Sequence, residues 1–300
     1  MSIPRLRLTP AGPEVSRIAF GLWRLQDWQR TTQQLITLTE QCVDLGITTT
    51  DHADIYGGYQ CEALFGAALA AAPGLRHRIE IVGKCGIKLV SPQSPAHRLQ
   101  HYDTSAAHII GSAEQSLRNL QTDYLDLLLL HRPDPLMQID EVAQAFEILR
   151  AAGKVRHFGV SNFTPSQFAM LASRCTLVTN QVEASVLHTA PLDDGTFDQC
   201  QQLGMAPMIW SALGGGRLFS DTGEQARRVR TTLDAIGQRH QVSTSVVAYA
   251  WLLQLPCKPV LITGSGRLAA LQDAAQASAL ALSREEWFEI WISSAGHGVA

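Results

Sequence analysis

The sequence predicts a (β/α)8 barrel, an α/β fold in which eight parallel strands alternate with helices. Three observations predict it. Eight short apolar runs alternate with stretches in which apolar residues recur every three or four positions. Several of the runs are apolar on both faces, as expected of a parallel sheet covered by helices. No Gly-x-Gly-x-x-Gly follows the first run, and eight units suit closure better than the runner-up, an open doubly wound sheet.

The strand expectations are residues 18–21, 47–51, 79–84, 125–131, 158–161, 178–183, 206–211 and 260–264. The helix expectations are 33–45, 60–72, 105–121, 140–152, 165–173, 196–204, 224–240 and 266–277. Thr164-Pro165 reads as an N-cap followed by proline at the first helical position. Gly153 and Gly204 sit where helix C-termini need a left-handed residue. Residues 4–18, with the turn Pro10-Ala11-Gly12-Pro13, read as an N-terminal β-hairpin able to cap the barrel floor. Two extra helices lie near the C-terminus: 244–254 before the last strand, and 283–293, which opens on the capping box Ser283-Arg284-Glu285-Glu286. No linker-like stretch divides the chain, so a single domain spans 1–300.

Composition narrows the function. The chain has 300 residues, 46% hydrophobic and 17% charged, with a net charge of −3. That is a folded domain with a substantial core and no basic footprint for nucleic acid. No polybasic run, signal-peptide core or bilayer-length apolar run occurs, so neither membrane binding nor export is expected and the predicted address is the cytoplasm. Six cysteines are widely spaced without a C-x-x-C pair, as reduced, buried thiols would be; Cys61 and Cys85 lie near the proposed site. His97 and His101 have helical spacing, but they stand in a proline-rich loop without the glutamate of a zinc-protease helix. No metal is expected.

The most informative stretch is Gly46-Ile47-Thr48-Thr49-Thr50-Asp51-His52-Ala53-Asp54-Ile55-Tyr56-Gly57-Gly58. It ends a β-branched run on a carboxylate and puts a tyrosine on the following loop. Lys84 and His131 end two later apolar runs. Barrel chemistry sits at the carboxyl ends of strands, where these four side chains can meet. A carbonyl accepting hydride gathers charge on oxygen and needs a proton donor there. Tyr56 can donate; the Lys84 ammonium favours its phenolate and lowers its pKa. Asp51 keeps Lys84 charged and positioned, and a neutral His131 orients the carbonyl. Singly, each has an ordinary reading as a cap, packing or surface residue; the order and placement of the four together point to chemistry.

These motifs resemble those of the aldo-keto reductase superfamily. The likeness rests on Asp51-His52-Ala53-Asp54-Ile55-Tyr56-Gly57, the Lys84 strand, Leu125-Asp126-Leu127-Leu128-Leu129-Leu130-His131, Gly159-Val160-Ser161-Asn162-Phe163 and Asn180-Gln181-Val182-Glu183. It runs from about residue 15 to residue 280. His52 stands where the family more often has Thr, and the form resembles a bacterial branch of poorly characterised members. The resemblance implies a TIM barrel and NADPH-dependent reduction of a small-molecule carbonyl compound. It assigns Tyr56 as acid, Lys84 and Asp51 as its tuners and His131 as carbonyl orienter. A monomer or weak homo-oligomer is expected.

The cofactor side follows from that assignment. Ser161 and Asn162, with Gln181 beside them, offer polar groups to a nicotinamide carboxamide, and Trp210 offers an aromatic face. Ser211-Ala212-Leu213-Gly214-Gly215-Gly216-Arg217 follows the seventh strand and Gly264-Ser265-Gly266-Arg267 the eighth, where barrels often bind phosphate. Arg267 is the candidate for the adenosine 2′-phosphate, since a guanidinium pairs a phosphate bidentately. Ala270 and Ala274 depart from an arginine and an asparagine common in the family, while Asp273 keeps the neighbouring acidic position. Trp23 and Trp28 flank the loop after the first strand as candidate pocket walls; Tyr59, Arg132 and Asp134 are further candidates. Only about 36 residues follow Gly264, so an open pocket without a long C-terminal lid is expected. Two other readings remain: an NADPH-binding sensor or scaffold subunit with little turnover, like the aldo-keto-reductase-related subunits of potassium channels, and a barrel isomerase or lyase without nicotinamide affinity.

Overall fold

In the computed structural model, which describes residues 3–298, eight parallel strands close into a barrel in chain order. The strands are Ile18–Gly21, Thr49–Asp51, Glu80–Cys85, Leu125–Leu130, Val155–Ser161, Asn180–Glu183, Met208–Trp210 and Val260–Thr263. Leu261, Ile262 and Thr263 pair with Ile18, Ala19 and Phe20 to close the ring. The helices Thr32–Asp44, Cys61–Ala71, Ala106–Leu120, Ile139–Ala151, Pro165–Ala172, Thr196–Gln202, Glu224–His240 and Leu268–Ala277 alternate with them. Thr244–Leu253 and Arg284–Ala295 are the two added helices. The capping box at Ser283 and the Thr164-Pro165 start are both formed, and Gly153 and Gly204 take positive φ after their helices.

Three differences from the sequence expectation have physical causes. The fifth strand begins at Val155, three residues early, because Arg156 is tolerated there: it is exposed, and its guanidinium reaches Asp126 at 3.1 Å. An apolar-run criterion cannot see such a start. The loop after the third strand holds a short hairpin, Ile87–Lys88 against His101–Tyr102, too brief to leave a periodic signature. The helix Arg217–Ser220 escaped for the same reason.

The period-2 alternation of strands positions the site. One core cluster holds Ala19, Val82, Leu127, Leu129, Val178, Ala206, Met208, Val260 and Ile262, the inward set of the strands. The same parity carries Val82 to Lys84, Leu129 to His131 and Met208 to Trp210. The third, fourth and seventh strands are thus apolar inside the barrel and polar where they emerge. The floor is closed by the N-terminal hairpin, Arg5–Arg7 against Glu14–Ser16. Leu8 and Val15 are buried in the inward cluster, and Ala206 N donates to Leu8 O at 2.8 Å. The barrel therefore opens at one end.

The last helix is tied to the helix before the eighth strand by two tryptophans. Trp251 and Trp287 stack at 5.1 Å, and each Nε1 donates to the other's carbonyl oxygen at 3.0 Å.

Helix Cys61–Ala71, which follows the catalytic-type loop, lies against Ala106–Leu120 through Gly66. A Cβ on Gly66 would fall 1.9 Å from Asn119 O. Because that neighbour is backbone, one helix would have to move. Gly66→Ala is expected to lower unfolding free energy by about 3 kcal/mol, read as a shifted urea midpoint at constant slope. An unchanged midpoint would mean that the two helices separate freely.

Candidate active site

Four sequence-predicted side chains meet at the open mouth. Lys84, 1% exposed, donates from Nζ to both carboxylate oxygens of Asp51 at 2.8 Å each, to His52 O at 2.8 Å and to Tyr56 Oη at 3.0 Å. Asp51, 3% exposed, also accepts from Gln181 Nε2 at 2.8 Å. The ammonium thus spreads three protons over four oxygens, and the carboxylate has three donor contacts. His131 stands edge-on to the Tyr56 ring, with centroids 5.9 Å apart.

The electrostatics differ from the sequence expectation at one point. Tyr56 is expected to have its pKa lowered by Lys84. In the structure, burial pushes the phenol well above its ordinary 10, Asp51 adds to the rise, and Arg132 only partly opposes it. The reason is that the Lys84 charge is already matched by Asp51, so little is left to favour a phenolate. Burial also lowers the Lys84 pKa, against the opposing pull of Asp51. Burial first, then Lys84 and Arg132, push His131 well below the usual histidine range. Its imidazole is neutral at physiological pH, as the sequence reading requires.

A second polar layer, which the sequence did not reveal as a unit, lies behind the loop. Asp54 accepts from Ser112 Oγ at 2.6 Å and Ile55 N at 2.7 Å. Burial raises its pKa to about 7, with a smaller push from Glu62. Glu62 accepts from Asn119 Nδ2 at 3.3 Å. His52 is buried edge-on to Phe65, and burial, then Lys84 and Arg76, bring its pKa down to about 3. The donors Ser112 and Asn119 stand on the helix that packs against Gly66, so this layer depends on a contact between distant segments.

The polar groups at the ends of the fifth, sixth and seventh strands form one chain. Trp210 Nε1 donates to Asn162 Oδ1 at 3.1 Å, Asn162 Nδ2 to Ser161 Oγ at 2.7 Å, and Ser161 Oγ to Gln181 O at 2.9 Å. Gln181 Oε1 and the second Asn162 N–H stay free of protein partners among the described residues. Asn162 and Ser211 hold φ of 60° and 54°, left-handed values that non-glycine residues seldom take outside helix ends. Beyond Ser211, Gly214, Gly215 and Gly216 are all left-handed, and the loop is tied to the first loop by Arg24, which donates to Gly215 O at 3.1 Å. That tie escaped the sequence reading. Leu213 packs partly into the core.

Other candidates fall in varied places. Arg217 is exposed, donates to Gly214 O at 3.1 Å and pairs with Glu183 at 3.5 Å. Gly264 and Arg267 are exposed, and Ser265 Oγ accepts from Arg267 N at 3.2 Å. Asp273 accepts from Ser243 Oγ at 2.9 Å, so this carboxylate is engaged with the cap of helix Thr244–Leu253. Trp28 stacks on Phe20 and lies against the last loop: a Cβ on Gly266 would come within 2.7 Å of its ring. Trp23 is 55% exposed, at the rim. Tyr59 is committed to Leu89, whose N–H donates to its oxygen at 2.8 Å. Asp134 accepts from Thr104 Oγ1 and Leu136 N at 2.9 Å each. His97 and His101 each place Nδ1 against a backbone carbonyl, of Leu89 and Leu99.

A nicotinamide dinucleotide fits this donor set. A carboxamide needs a donor and an acceptor beside an aromatic face, which Asn162, Gln181 and Trp210 supply; a diphosphate needs glycine backbone and cationic side chains, which the loops after the last two strands supply.

Comparison with known proteins agrees with the geometry. The oxidoreductase YdhF of Escherichia coli (strain K12) is 53% identical over 300 residues, with 99% of each chain covered. A 6-dehydroglucose reductase of Agrobacterium fabrum is 45% identical over 292 residues, covering 96% of this chain and 97% of its own. Among solved structures, the thermostable aldo-keto reductase Tm1743, crystallised with the inhibitor epalrestat, superposes with a TM-score of 0.82 at 26% identity, over 97% of this chain and all of that one. A model of the Aldo/keto reductase family matches residues 17–293, and the chain belongs to that family.

Proposed function

We propose that this protein is an NADPH-dependent carbonyl reductase with Tyr56 as its general acid. The observation that carries the reading is the Lys84 ammonium, held by Asp51 and His52 and donating to the Tyr56 oxygen at 3.0 Å. Bound NADPH would supply the hydride to the carbonyl carbon. Tyr56 keeps its proton at neutral pH because the unreacted phenolate is disfavoured in its buried surroundings. As charge develops on the carbonyl oxygen, Tyr56 gives up that proton, and the Lys84 N–H stabilises the phenolate left behind. His131, neutral, orients the same oxygen by a hydrogen bond. Solvent returns the proton to Tyr56 after the alcohol leaves. The carboxamide falls to Asn162, Ser161 and Gln181, and the phosphates to the loops at 211–217 and 264–267. By likeness to the relatives named 6-dehydroglucose reductases, 45% and 39% identical, the substrate class is a polar, hydroxylated aldehyde.

Three measurements test this reading. NADPH absorbance loss with a panel of aldehydes is expected to fall by about 10²-fold or more in Tyr56→Phe, with NADPH affinity retained. No loss with any carbonyl, in protein that binds NADPH, would favour the sensor reading.

The pH dependence has a defined sign. A phenol held above its ordinary pKa stays protonated up to that pKa, so loss of the Tyr56 proton removes reduction only as pH rises through it. The alkaline limb of kcat/KM is therefore expected above about pH 10. A limb near 7 that persists in Asp54→Asn, which removes the nearby carboxyl held at about 7, would contradict the high Tyr56 value.

Arg267→Ala is expected to weaken NADPH by about tenfold or more and NADH much less. Equal weakening of both would remove Arg267 from the 2′-phosphate.

A further inference from the structure

Arg132 follows His131 directly and is the one partly buried arginine or lysine that makes no side-chain hydrogen bond or ion pair among the described residues. Every other half-buried or buried arginine has a partner: Arg17 at Leu253 O, Arg76 at Asp126, Arg228 at Ser293 O and Arg230 at Leu218 O. A guanidinium carries five donors, and none of the Arg132 nitrogens is among the buried unpartnered atoms, so they stay open to solvent and to a ligand. The guanidinium lies over the face of Trp210, 5.5 Å from the ring centroid, an interaction that satisfies none of the N–H groups.

The acids nearest Arg132 direct their hydrogen bonds and ion pairs to other groups. Asp134 is held by Thr104 and Leu136, Glu183 by Arg217, Asp54 by Ser112 and Asp51 by Lys84. Position then decides which ligand the free charge faces. In the closed ring the fourth strand stands opposite the eighth, so Arg132 is across the mouth from the loop at 264–267. Its charge acts on Tyr56, Lys84 and His131, the three groups that would surround a reacting carbonyl. With Lys84 paired to Asp51, Arg132 is the cation at the carbonyl end of the mouth that no side chain pairs among the described residues.

Resting on the carbonyl-reductase reading, we infer that Arg132 is a specificity-determining residue that binds an anionic group, a carboxylate or a phosphate, on the carbonyl substrate. The bidentate fork of a guanidinium suits either anion. Binding there leaves the carbonyl carbon of a small substrate beside Tyr56 and His131.

Steady-state kinetics with NADPH on two matched pairs test the assignment: 4-carboxybenzaldehyde against methyl 4-formylbenzoate, and glyceraldehyde 3-phosphate against glyceraldehyde. Wild type is expected to favour the anion of at least one pair by about tenfold or more in kcat/KM, chiefly through KM. The pair that shows the preference separates carboxylate from phosphate. In Arg132→Gln the anion-to-neutral ratio collapses toward one, and Arg132→Lys restores part of it. No anion preference in either pair overturns the proposal. So does a ratio that survives in Arg132→Gln, or a loss of NADPH affinity in that variant by fluorescence quenching, which would make Arg132 a cofactor contact. Turnover of the neutral aldehydes tests the carbonyl-reductase reading separately. If nothing is turned over, calorimetric titration of 4-carboxybenzaldehyde decides: tighter binding to wild type than to Arg132→Gln supports the site, and equal binding overturns it.

Discussion

The contact between Lys84 and Asp51 organises the mouth of this barrel. Two opposite charges are almost wholly removed from water there, which is favourable only when the remaining protons and lone pairs also find partners. They do: the His52 carbonyl, the Tyr56 hydroxyl and the Gln181 amide complete the cage. Removing one partner from such a pair typically costs about 3–5 kcal/mol, because a bare charge stays behind. The contact also cancels the field that would otherwise ionise Tyr56. The same lysine is thus electrically quiet toward the resting phenol and still aims a hydrogen bond at its oxygen.

The strands' alternation delivers these groups to one place. Below the mouth the inward positions are apolar and sealed by Leu8 and Val15; above it the same parity yields Lys84, His131 and Trp210. Left-handed non-glycine residues gather around the mouth, Tyr59 on the loop after the second strand among them. Asn162 and Ser211 hold left-handed conformations where the fifth and seventh strands end, and the Trp210–Asn162–Ser161 hydrogen bonds keep the first of them in place. A rigid apolar barrel can support such residues because its layers are over-determined by packing.

Much of this was legible in the sequence. Strands that end in Lys84 and His131 announce themselves as apolar runs stopped by one polar residue, and helix starts at Thr164 and Ser283 carry local capping chemistry. What was not legible depends on contacts between distant segments. Arg156 opens a strand only because Asp126 waits beside it. Asp54 and Glu62 find their donors Ser112 and Asn119 on a helix that packs against Gly66. Asp273 and Trp28 read as free site residues, yet Ser243 occupies the first and the last loop covers the second. The direction of the Tyr56 shift depends on geometry too: the residue types suggest a charge beside a phenol, whereas the fold buries the phenol and sets Asp51 against both it and Lys84.

The reciprocal bonds between Trp251 and Trp287 have an optical consequence. Two indoles stacked at 5.1 Å couple their transitions, and their coupling vanishes if the last helix lifts from its neighbour. Because both hydrogen bonds and the stack break together, intermediate positions of that helix gain little from either. The pair gives the chain a native circular-dichroism gauge of the docking of that helix without any added label.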